Sequence, residues 1–175
     1  MTKTPETEPR ESGDDEEPQQ DLDELLVQQA RQLARETATA TLGTIDGEGY
    51  PYTSFVELIF DGDDAFWMLL SDLATHSTNI DADRRASLML RDEASAADDE
   101  QDLQITRGTF VGTVEERDDR RQEIEADYLA AHPHAEQYID FGDFNFYCLR
   151  VERIKIVAGF GRVGWVAVDR WRGDG

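Results

Sequence analysis

Hydrophobic and polar positions follow two rhythms along this chain, and the change falls near Ala38. Leu22, Leu25, Leu26, Ala30 and Leu33 recur at the spacing of one helical face. Asp21, with Glu24 three residues on, resembles a capping box with Asp in the Ser/Thr position. The pattern predicts a helix from Asp21 to about Glu36 that covers one end of a sheet. From Ala38 the period becomes two. ATATLGT is small and β-branched, and Asp46-Gly47 marks a turn. Between Pro51 and Phe60, Tyr52, Ser54, Val56, Leu58 and Phe60 share one face, and Thr53, Phe55, Glu57 and Ile59 the other. Asp61-Gly62-Asp63-Asp64 turns the chain into the apolar run Phe66–Leu70. Short turns between three such strands allow only an antiparallel meander.

A polar crossover, Ser71 to Asp83, leads to the strand Ala86–Leu90. Asp92 to Asp102 holds six acids and no base and is expected to be a solvated loop. Leu103 to Glu116 resumes a long strand, with Gly108 and Gly112 at bends or bulges. Asp118 to Ala131 reads as a polar helix burying Ile124 and Tyr128, ended by His132-Pro133. A helical piece near Ala135–Ile139 precedes the last strands, Phe144–Val151 and Ile154–Val157. About six antiparallel strands that must bury Phe55, Phe60, Phe66, Trp67, Phe110 and Phe146 do best as a small barrel, because an open sheet leaves edges exposed. The fold class is therefore mainly β with flanking helices. Residues 1–20 are expected to be a disordered acidic tail, 21–166 the folded domain and 167–175 a flexible C-terminal tail.

Charge changes this picture. The 175 residues carry 39 Asp and Glu against 17 Lys and Arg, a formal net charge of −22. Only residues 3 and 155 are lysines. With no basic stripe to displace counterions, nucleic acid is excluded as a partner, and so is an anionic membrane surface. No apolar run is long enough to span a bilayer, and the first residues lack a secretory apolar stretch, so a cytoplasmic protein is expected. The single cysteine, Cys148, leaves no intramolecular disulfide and reads as a buried thiol.

The densest chemistry follows the Phe66–Leu70 run, where Ser71, Asp72, Thr75, His76, Ser77, Thr78 and Asn79 cluster at a helix start. Backbone N–H groups and hydroxyls can converge there on an anion such as a phosphate. A capped helix after a strand, with no ligand, accounts for the same residues. Arg84, Arg85 and Arg107 are the nearby cations, with Asp81 and Asp83 available to pair with the first two. His132 and His134 fit a surface or helix-terminal role, and no His, Cys and Asp spacing suggests a metal.

Longer pieces carry a resemblance: ATLGTIDGEGYPYTSFVEL, LLSDLATHSTNIDADRRASLML, RGTFVGTVEE and the stretch from YLAAHPHAEQYIDFGDF to GFGRVGW. Over roughly residues 35–166 the chain resembles the FMN-binding split-barrel proteins related to pyridoxamine 5′-phosphate oxidase. It looks most like their haem-utilisation (HugZ-type) branch. The resemblance implies a six-stranded antiparallel split β-barrel and a homodimer with two flavin sites at the interface. It also implies an FMN-dependent oxidoreductase acting on a small molecule. Tyr52, Thr53, Ser54 and Phe55 would line the strand beneath the flavin. Ser71, Thr75, His76, Ser77 and Asn79 would grip its phosphate. Arg107 and Thr109 would face the same end, and Arg162 and Trp165 would reach across from the partner subunit. The oxidase's Arg-rich strand is here Tyr52–Phe55, which argues against pyridoxamine phosphate as substrate. Haem is the alternative cofactor, although the tail VAVDRWRGDG lacks the histidine that haem-degrading relatives use as axial ligand. A flavin-binding dimer without turnover is a further alternative. No residue announces itself as a catalytic acid or base.

Self-repulsion at −22 is tolerable where salt screens it, since the Debye length falls to about 3 Å at 1 M salt. A salt-adapted cytoplasm is the expected setting, and an ordinary acidic protein the alternative. The urea midpoint of unfolding is therefore expected to rise with added KCl, and a midpoint indifferent to salt would contradict that adaptation.

Overall fold

In the computed structural model the described residues are 16–92, 105–159 and 161–172. Helix α1 spans Glu16–Glu36, followed by β1 (Thr39–Ile45), β2 (Pro51–Glu57), β3 (Ile59–Phe60) and β4 (Ala65–Ser71). Helix α2 (Thr75–Ala82) leads to β5 (Arg85–Arg91), and β6 covers Arg107–Glu116. A 3-10 turn, helix α3 (Arg121–Ala131) and a second 3-10 turn (Pro133–Gln137) precede β7 (Phe144–Val157), β8 (Val163–Val166) and α4 (Val168–Arg172). Among the described residues no helix is long and apolar enough to cross a membrane.

The strands form one antiparallel sheet in the order β2-β1-β5-β6-β7-β4-β3, with β8 on β7. Its two edges are consecutive in sequence. Pro51–Glu57 pairs with β1, and after Leu58 the same run pairs Ile59 and Phe60 with Trp67 and Phe66 of β4. The sheet thus curls into a barrel that is split where β2 and the end of β4 part. Leu58 is the pivot. It is fully buried, its N–H donates to Ala38 O (2.9 Å), and its carbonyl lies 3.0 Å from His132 Nε2.

The mainly β barrel expected from the pattern is present, with eight strands among the described residues where about six were expected. The Pro51–Phe60 strand divides at Leu58. Phe144–Val157 is one strand, not two, because the polar pair Glu152-Arg153 is a bulge rather than an end: Val111 pairs with Arg153 while Gly112 pairs with Val151. Gly112 is required there, since a Cβ would stand 1.8 Å from Arg150 O. The last strand, β8, lies beyond the strands expected from the pattern and pairs with β7.

Inside the barrel, Leu42, Leu88, Phe110, Val114, Leu149 and Ile154 pack under α1, which contributes Leu26, Ala30 and Leu33. A second cluster outside the barrel joins Trp67, Leu69, Phe146 and Cys148 to Ile124, Tyr128 and Ile139. Strand β4 therefore has both faces covered, which explains its unbroken apolar run. Burial pushes the Cys148 thiol up to about 11, in keeping with an inert core group.

Both expected termini differ. Helix α1 begins at Glu16, a turn before Asp21, because Glu16–Gln20 continue the helix instead of capping it; residues 1–15 lie outside the described ones. The tail expected to be flexible contains α4, although residues 173–175 lie outside the described ones. Trp171 inserts among Phe60, Phe66 and Phe110, with centroids 5.2, 6.4 and 5.7 Å away. Arg31 of α1 donates to the carbonyls of Arg170 and Trp171, closing the C-terminal turn of α4. The expected acidic loop at 92–102 lies almost wholly outside the described residues. Trp171→Ala is expected to cost about 3–5 kcal/mol, read as a lower urea midpoint with an unchanged slope.

Candidate functional site

The split forms a cleft of about 380 Å³. Phe55, Val56 and Glu57 of β2 form one wall and Leu69, Leu70 and Ser71 of β4 the other, with Ala74, His76 and Phe144 completing it. This volume lies within the usual range for small-molecule sites, about 300–1,000 Å³. Six of the nine lining residues are apolar, and none is Lys or Arg.

Local hydrogen bonds explain why the cleft holds its shape. Ser71 Oγ donates to Asp143 Oδ2 (2.7 Å), Ser77 Oγ donates to Ser71 O (2.7 Å), and Asp72 N–H donates to Asp143 O (2.7 Å). Tyr147 and Asn145 both donate to the Asp72 carboxylate. The β4–α2 loop is thereby clamped to the start of β7. Asn79 is buried and donates to Thr44 Oγ1 (3.0 Å), fixing α2 to β1. Ala74, at the start of α2, makes no side-chain cap, and the first turn carries no acid, so that end of the helix is electropositive and open to an anion.

His76 is the distinctive group. Its Nδ1 lies 3.1 Å from Ser54 Oγ, while Nε2 is buried and has no hydrogen-bond partner. Burial lowers its pKa, so the ring is neutral at physiological pH. In the tautomer that donates Nδ1–H to Ser54, Nε2 carries a bare lone pair. One nitrogen of this imidazole is fixed by a neighbour, and the other is a buried polar atom with its hydrogen-bonding capacity unused. Among the described residues no group of three or more His, Cys, Asp or Glu could itself hold a metal ion.

The residues singled out from the sequence divide into three sets. Phe55, Ser71 and His76 line the cleft, with Ser54 behind His76. Ser77 and Asn79 turn inward and position the site, while Thr75 is exposed at the helix start, and Tyr52 and Thr53 are exposed on β2. The third set lies apart within one chain. Register places Phe55, Thr41, Met89, Thr109, Lys155 and Trp165 in one row across the outer face. At about 4.8 Å per strand, Thr109 is roughly 14 Å and Trp165 roughly 24 Å from Phe55. Arg107 also lies on β6, and Arg162 is exposed just before β8. Arg84 pairs with Glu115 and Arg85 with Asp83, not with the cleft. Glu57 was legible from strand alternation as the neighbour of Phe55 on that face. Phe144 was not, since nothing local signals a contact 89 residues away in sequence.

A curled antiparallel barrel with a lined split defines a split-barrel protein. The chain belongs to the CREG beta-barrel family ("CREG, beta-barrel"), whose pattern matches residues 22–172, within the FMN-binding split-barrel superfamily. It is 26% identical over 158 residues to heme oxygenase HutZ of Vibrio cholerae, covering 86% of each chain. It is 33% identical over 112 residues to the chloroplastic heme oxygenase HOZ of Arabidopsis thaliana, covering 64% of this chain and 33% of that one. A heme binding protein from Mycobacterium smegmatis superposes with a TM-score of 0.77 at 32% identity, over 84% of this chain and 60% of the other. The chain thus spans a third of the chloroplast relative and three fifths of the mycobacterial one. A member of the pyridoxinephosphate oxidase family from Clostridium acetobutylicum shares the fold, with a TM-score of 0.66 at 17% identity over 85% of this chain and 98% of that one.

Close by, burial and the carboxylates of Asp72, Asp118 and Asp81 raise the pKa of Glu116. Because the folded chain holds that proton more tightly than the unfolded one, the associated stability is complete below pH 4.5 and is lost as pH rises through the raised value. Glu116→Gln is therefore expected to raise the urea midpoint at pH 7, with the gain vanishing below about pH 4.

Proposed function

We propose that this chain binds haem in the split between β2 and β4, where His76 would hold the iron through Nε2 and the apolar walls would cover the macrocycle. The single observation that carries this reading is the buried, unpartnered Nε2 of His76, whose ring is fixed through Nδ1 by Ser54. Among the described residues no Lys or Arg lines the cleft, which favours a ligand held by a broad apolar body over one held chiefly by its phosphate. The haem-named relatives at 26–33% identity support the same choice. The iron would supply redox chemistry; Ser54 would orient the imidazole, and Phe55 and Phe144 would exclude water. Haem degradation of the haem-utilisation type is the corresponding activity.

FMN is the second reading, favoured by the uncapped start of α2, where Thr75 and the backbone N–H groups could receive a phosphate beside Ser71. The chain would then be an oxidoreductase acting on a small molecule. In either case a second copy is proposed to cover the outer row. Phe55 (76% exposed), Met89 (42%) and Trp165 (61%) lie along it, and a partner's Arg107, Thr109, Arg162 and Trp165 could then approach the cleft. We place this homodimer in the cytoplasm, without nucleic-acid or membrane partners.

Hemin titration of the purified protein is expected to give a saturable Soret shift, and FMN a weaker response. His76→Ala should weaken hemin binding at least tenfold and Ser54→Ala by about tenfold, the scale of ligand and orienting residues at metal sites. No saturable shift for the wild type would overturn the haem reading. A yellow protein whose melting temperature rises with FMN alone would favour the flavin one.

A further inference from the structure

Among the described residues Glu57 is the one carboxylate lining the cleft, and a cluster that the cofactor reading leaves unused surrounds it. His134 Nε2 lies 2.8 Å from Oε1 and 3.0 Å from Oε2, Tyr138 Oη donates to Oε2 (3.2 Å), and His132 Nδ1 stands 3.8 Å from Oε1. Three side chains from the segment after α3 thus converge on a single residue of the cleft wall. The two histidines, read from sequence as a surface or helix-terminal HPH, are brought to the site by tertiary structure.

The ligands considered for this cleft, haem with its propionates and FMN with its phosphate, are all anionic, and a carboxylate in the wall repels them. Of the groups that face Glu57, Tyr138 and Tyr128 keep their protons, because burial and the Glu57 charge itself raise both. His76, across the cleft, is held neutral by burial. His132 is 4% exposed, and its Nε2–H donates to the Leu58 carbonyl, so that ring is committed to the backbone at the pivot. His134 is 53% exposed and gives its Nε2–H to the carboxylate, so a proton from water can add at Nδ1 and leave an imidazolium in place against Glu57. That charge cancels the carboxylate as an anion arrives.

We propose that Glu57 and His134 form a proton-loading pair that selects the cleft's ligand: an acidic ligand enters together with one proton, which settles on His134. This rests on the cleft being the ligand site. Tyr138 is a positioning residue that holds the carboxylate between its two donors.

The test is the dissociation constant of hemin, and separately of FMN, at pH 6, 7 and 8 for wild type, Glu57→Gln and His134→Gln. Each fold is checked by its melting temperature. Wild-type affinity should tighten as pH falls, by up to tenfold per unit for one coupled proton. Glu57→Gln removes the repulsion and should bind tightly with a flattened pH dependence. His134→Gln keeps an amide donor to Glu57 but cannot carry the proton, and should bind weakly with the same flattening. A purely structural cluster would weaken both variants and leave the wild-type slope in them, which overturns the proposal. A slope persisting in His134→Gln also overturns it by moving the proton elsewhere. A wild type that binds a probe with no slope overturns the pair while leaving the cofactor reading intact. Failure to bind either probe removes both.

Discussion

The architecture depends on one bend. At Leu58 a single run of chain stops pairing with β1 and starts pairing with β4, so one segment supplies both edges of the sheet. The buried backbone there is satisfied on both sides, by Ala38 O and by His132. A buried peptide group without partners would cost on the order of 1–3 kcal/mol, so these two bonds are what allow a tight turn inside the barrel wall. The split is the direct consequence. Because the run must leave β1's partner role before it reaches β4, β2 and the end of β4 cannot pair, and the gap becomes the cleft.

The same bend ties the site to the rest of the molecule. His132 holds Leu58, and two residues later His134 holds Glu57 in the cleft wall. On the opposite wall, Ser71 is clamped by Asp143 and Ser77. The walls are therefore fixed by polar contacts from α2, from the turn after α3 and from the start of β7. The apolar lining between them is left to contact a ligand. This division suits a preorganised site, where little ordering remains to be done on binding.

Electrostatically the protein works against its own charge. At −22 it repels any acidic ligand, and among the described residues no arginine or lysine lines the cleft to offset that field. What is available is short-ranged: the open start of α2, a neutral imidazole, and a carboxylate already surrounded by donors. Surface arginines such as Arg84 and Arg85 are committed to neighbouring acids. In an acidic protein most cations serve to neutralise nearby carboxylates, and affinity for an anion must come from dipoles and hydrogen bonds aimed at one place.

The chain by itself determined the strand periods, the turn at Asp46-Gly47, the faces of Pro51–Phe60 and the polar burst from Ser71 to Asn79, because these follow from local alternation and from side chains adjacent in sequence. The resemblance carried by the LSDLATHSTN and DRRASL stretches indicated the split barrel. Distance along the chain hid the rest. Burial of Trp171 depends on rings over 60 residues away, so a polar tail concealed a core residue. Glu152-Arg153 looked like a break because a bulge and a strand end have the same polar pattern, and only pairing with β6 separates them. Ser77 and Asn79 shared the composition of ligand contacts, yet their partners on β4 and β1 turned them inward. Only tertiary structure could bring Phe144 and His134 to β2, since a cleft is defined by which distant walls meet.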